Sequence, residues 1–81
     1  MNGQDLVNFL VRGIAKADKE RNRTWLIINI PNEVYEDDQL FKLRLQMAEV
    51  ALKRANLKYR MEHLVLERKE NDVCVVLKWR D

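Results

Sequence analysis

Apolar positions along the chain follow three rhythms. Between residues 3 and 19, Leu6, Leu10, Gly13, Ile14 and Ala17 recur at helical spacing. Asn2 stands where a helix cap belongs, and Asp5 follows three residues later, where a carboxylate suits the positive helix end. A first helix is expected there. Gly13 lies on its apolar face, where the missing side chain costs about 1 kcal/mol against alanine but lets a neighbouring element come close.

The second rhythm is a short continuous run, "TWLIINI" (24–30), closed by Pro31. Its β-branched and aromatic residues predict a strand, and the near-continuous apolarity predicts cover on both faces or a partner on one, away from a solvated edge. "PNEVYEDD" then offers turn residues and acids, leading into a long helix from Leu40 to about Leu57 whose basic end, Lys53, Arg54 and Lys58, complements its negative pole.

The third rhythm, "KYRMEHLVLERKENDVCVVLKWRD", reads as two strands turning at 69–72. With Arg68 facing Val73, the pairs Leu66 with Val75, Leu64 with Leu77 and Glu62 with Trp79 gather one apolar face. His63 then falls on the other face, near Lys78. The order is α-β-α-β-β over residues 1–81, predicting an α+β fold in a single two-layer domain. Strand, helix and strand imply a crossover with the first two strands parallel, and the hairpin adds an antiparallel third. The expected sheet is three-stranded and mixed, with both helices packed on one face.

The stretch "LFKLRLQMAEVALKRANL" adds a question of cover. Projected as a helix, its apolar arc is about 240° wide, far more than the roughly 100° that one layer buries. The rest of the fold covers about two thirds of such an arc, leaving surface for a partner, of which a second copy is the simplest. Arg44 projects near its middle. It either pairs with an acid such as Asp37 or anchors an apolar interface, and Ala48, Ala51 and Ala55 beside it would admit another helix. Leu43, Arg44, Met47 and Val50 are therefore the candidate interface residues, with Trp25 and Trp79 as core or interface aromatics.

Composition narrows the chemistry. Of the 81 residues, 47% are hydrophobic and 35% charged, which suits a folded soluble chain rather than a disordered one. No apolar run approaches the length of a membrane span, and the amino terminus lacks the basic and apolar segments of an export signal, so a cytoplasmic setting is expected. Cys74 is the sole cysteine, which removes internal disulfides and multi-cysteine metal sites; a small buried hydrophobe is its plainer reading. There is no serine, Thr24 is the one threonine, His63 the one histidine, and Gly3 and Gly13 the only glycines. Hydroxyl nucleophiles, histidine metal sites and glycine-rich phosphate loops thus lack support. The acids Glu36, Asp37 and Asp38 read as complements to a helix dipole rather than paired catalytic carboxylates. No enzyme, cofactor or metal is expected.

The net charge of +2 is mild, but "KADKERNR" supplies Lys16, Lys19, Arg21 and Arg23, and the hairpin would add Tyr59, Lys78 and Arg80. Acids interleave with these bases, including Asp18, Glu20, Glu62 and Glu67. The element order resembles the later part of the Alba-type DNA- and RNA-binding domains, although that family's opening strand and lysine-bearing loop are absent. The resemblance implies a small two-layer fold and adds some weight to nucleic-acid binding. Two expectations follow. The leading one is a non-catalytic interaction protein, a regulator or inhibitor of a larger macromolecular partner such as small bacterial and phage genomes encode. The alternative is a sequence-tolerant nucleic-acid binder using the basic segment and the hairpin.

Overall fold

The computed structural model describes residues 2–55 and 60–80, with the side chains of Arg21 and Arg80 outside that description. Six elements follow in order: α1 (Gly3–Arg21), β1 (Trp25–Pro31), α2 (Asn32–Tyr35), α3 (Asp38–Arg54), β2 (Arg60–Arg68) and β3 (Asp72–Arg80). Over the described residues the fold is α+β, with three helices and a three-stranded sheet.

The first helix starts where its cap signal lies. The Asp5 backbone N–H donates to the Asn2 side chain at 2.9 Å, and the Asn2 N–H donates back to the Asp5 carboxylate at 3.2 Å. Asn22 ends α1 in the left-handed conformation, φ 50°, its N–H reaching the carbonyl of Ala17. Asp37 caps α3 by accepting the Leu40 N–H at 2.9 Å. That cap sets the start of α3 two residues before the expected Leu40. The expected end at Leu57 lies outside the described residues. The four-residue α2 was not expected from sequence, because one turn shows no periodicity.

The sheet corrects the expected topology. Its order is β1-β3-β2 and all pairing is antiparallel, so it is not mixed. β1 and β2 do run in the same direction, but β3 lies between them as in a split β-α-β arrangement. The reason is visible in burial: Val73, Val75, Leu77 and Trp79 are all buried on the side facing the helices and Val76 is buried between its neighbours on the other, so β3 carries more buried residues than β1 or β2 and a central position suits it best. β1 is an edge strand after all, with exposed and covered positions alternating along it.

Both long helices lie on one face. Leu26, Leu77 and His63 form one row across the three strands; α1 meets that row where Gly13 faces Leu26, and α3 meets it where Phe41 sets its ring edge against His63, centroids 5.0 Å apart. An added Cβ at Gly13 would stand 3.3 Å from Leu26, so the close approach read from the sequence is real. Leu6, Leu10, Ile14, Phe41, Leu45 and Trp79 fill the space between the layers.

The hairpin register is also corrected. Arg68 faces Val73 as expected, but a bulge between Val65 and Glu67 shifts every earlier pair, giving Val65 with Val75, Leu64 with Val76, His63 with Leu77 and Met61 with Trp79. One extra residue reverses the faces. Met61, His63 and Val65 turn toward the helices, while Leu64 and Leu66 turn outward. His63 accordingly leaves the neighbourhood of Lys78 for the half-buried side of the sheet.

Candidate functional site

The described residues leave two apolar surfaces uncovered. The first is on α3. Its inner stripe, Phe41, Leu45, Ala48 and Leu52, is buried, and Leu43, Met47 and Val50 stand on the opposite side at i, i+4 and i+7, 53%, 46% and 50% exposed. A shallow groove bordered by Leu40, Leu43 and Gln46 runs beside them. The wide arc of the sequence thus divides into a stripe that holds the fold and a stripe that faces solvent.

Arg44 takes neither role. Its guanidinium donates to the carbonyl of Val34 at 2.7 Å and to Glu36 at 3.1 Å, with its side chain 16% exposed and packed over Gly3. The charge is satisfied inside the joint between α2 and α3, where the chain turns through Glu36 at φ 63°. Its acid is Glu36, one residue before the Asp37 expected from sequence. Trp79 is fully buried and is a core aromatic. Ala48 is buried and Ala51 half-buried on the helix that packs beside α1, so the neighbour admitted by those small residues belongs to the same chain.

The second surface is the outer face of the sheet, on which no described helix lies. Ile27, Val76 and Leu64 form its central row, flanked by Trp25 and the bulged Leu66; Ile27, Leu64 and Leu66 each keep half or more of their surface in solvent. Cys74 is half-buried on this face in a row with Asn29 and Glu67. Sequence reasoning allowed a partner on one face of β1 but missed the β2 half of this surface, because the bulge that turns Leu64 and Leu66 outward has no periodic signature.

One polar cluster ties the hairpin to α3. A single carboxylate oxygen of Asp38 accepts the Tyr35 hydroxyl and the Arg68 guanidinium, each at 2.6 Å, and the Tyr35 ring stacks on Phe41 with centroids 4.8 Å apart. Arg68 lies over the Tyr35 ring. Burial, then the bond to Asp38, pushes the Tyr35 hydroxyl up to about 12. The bonds from Tyr35 and Arg68 hold the Asp38 carboxyl below the usual carboxylate range. His63 is held below its ordinary value by burial, against an opposing pull from Asp38. The Tyr35 and Asp38 shifts favour the protonated phenol and the ionised carboxylate on which this clasp is built. Among the described residues no group of histidine, cysteine and acids is gathered to hold a metal ion.

The candidate basic residues collect at one end of the molecule. Lys16 and Lys19 are on the last turns of α1, Arg23 follows, and Lys78 is the register partner of Trp25. The Arg23 guanidinium lies 4.9 Å from the centre of the Trp25 ring, which is itself 43% exposed. Tyr59 and the side chains of Arg21 and Arg80 lie outside the described residues.

No family model, curated protein or solved structure matches this chain. No helix among the described residues is long and apolar enough to cross a membrane.

Proposed function

We propose that this chain is a non-catalytic interaction module, a regulator or inhibitor that docks on a larger protein through the outward stripe of α3. The observation that carries the reading is the spare stripe: Leu43, Met47 and Val50 repeat at helical spacing on a helix whose opposite side already supplies the core. Such a stripe fits the helix-in-groove mode, in which anchors at i, i+4 and i+7 enter apolar pockets of the partner. Arg44 serves this surface indirectly, by fixing the joint that aims α3. The lone Cys74 suits a reducing, cytoplasmic compartment. Retention of proteins from a cell extract by immobilised wild type and by the Leu43→Ser, Val50→Ser double variant tests the reading. A protein held by the wild type and lost by an equally folded variant is the expected result; identical retention overturns it.

A second reading, nucleic-acid binding, draws on Arg23 and Lys78 beside a half-exposed tryptophan, with Lys16 and Lys19 on the last turns of α1 at the same end of the molecule. It predicts anisotropy changes with labelled duplex DNA or single-stranded RNA that weaken steeply with salt and shrink when Lys16, Lys19 and Arg23 are neutralised. No binding at low salt removes it.

A further inference from the structure

We infer that the outer face of the sheet is the interface of a symmetric dimer in which two copies stack with their strands antiparallel. This does not rest on the α3 stripe, which lies on the opposite layer. The apolar row of Ile27, Val76 and Leu64 crosses the middle of the face, and charge of opposite sign lies at its two ends. Arg60 and Lys78 stand at one end, with Glu62 the register partner of Lys78; Glu67 and Asp72 stand at the other.

The same polarity runs through the whole molecule. The chain enters α1 and α3 at one end and leaves both at the other, so Glu33, Asp37 and Glu70 gather near the hairpin turn while Lys19, Arg23 and Arg54 gather at the far end, where Lys53 is already paired with Glu49. Asp18 and Glu20 dilute the basic end, and Lys69 the acidic one; Arg44 and Arg68 there are already bonded to Glu36 and Asp38.

Charge then selects the occupant and its orientation. A second copy carries the same apolar row and both complementary poles. Two stacked sheets can be related by a two-fold axis lying between them either along or across the strands. An axis along the strands sets Lys78 over its own copy and each pole over its like. An axis across the strands, through the row of Ile27, Val76 and Leu64, lays the basic end of one copy over the acidic end of the other and Ile27 over Ile27. Aligned sheets packed about 10 Å apart accommodate this arrangement.

Sedimentation velocity of the full chain across micromolar concentrations tests the inference. The wild type should form dimers, and Leu64→Thr, which keeps strand propensity, should raise the dimer Kd about tenfold, because each substitution acts twice in a symmetric interface. Raising sodium chloride should weaken the dimer several-fold by screening the facing poles. Ile27→Lys and Ile27→Asp should each be monomeric, and their mixture should recover dimers. A wild type that stays monomeric throughout overturns the inference, as does a dimer that survives Leu64→Thr but dissociates on Leu43→Ser. Dimers strengthened by salt, or unrecovered in the mixture, overturn the antiparallel orientation.

Discussion

Arg44 shows how a single side chain escapes a reading by periodicity. Its angular position on α3 was legible, but its partner, the Val34 carbonyl, belongs to a turn whose geometry depends on the positive φ of Glu36. Arg44→Ala removes a charged hydrogen bond to a half-buried carbonyl and should destabilise the fold by about 1–3 kcal/mol in urea unfolding, without abolishing dimers. The clasp around Asp38 gives a pH dependence whose signs differ by residue. Tyr35, raised to about 12, contributes stability fully below its ordinary value and loses it as pH rises from about 10 toward 12. Asp38 and His63 are depressed, so their contributions are complete above their ordinary values and are lost as pH falls, His63 below about 6.5 and Asp38 below about 4. The urea midpoint should therefore be flat from about pH 7 to 9.5 and fall on both sides, and His63→Gln should remove the first acid limb while leaving the alkaline one.

At the level of elements, the two long helices, β1 and the hairpin were legible because caps, periodicity and the "KEND" turn agreed. The pairing was not. Strand order depends on which run is the most buried, and that comparison between strands is invisible within any one of them. The bulge at Leu66 had the larger consequence, since it exchanged the inner and outer sets of β2. A direct check follows from that exchange. Val65→Asp should cost about 2 kcal/mol or more because Val65 packs against the core cluster, whereas Leu66→Asp should stay within about 0.5 kcal/mol in the monomer. An unbulged hairpin in the register read from sequence would reverse that order.

For the molecule as a whole, net charge concealed more than it revealed. A total of +2 arises from poles of opposite sign, each of which complements the dipoles of two helices running the same way. The separation emerges only once the chain direction through all six elements is known. The same holds for the apolar surfaces: the sequence showed that α3 carried more apolar area than one layer needs, and the fold shows it divided between a core stripe and a solvent stripe. The most direct test of that division is urea unfolding of the Leu43→Ser, Met47→Ser, Val50→Ser triple variant beside Leu45→Ala, at concentrations where the chain is monomeric. The triple variant should remain within about 1 kcal/mol of wild type while Leu45→Ala loses about 2–5 kcal/mol. A triple variant destabilised as much as Leu45→Ala would mean that the outward stripe is already covered by its own chain, contradicting the reading of α3 as a docking surface.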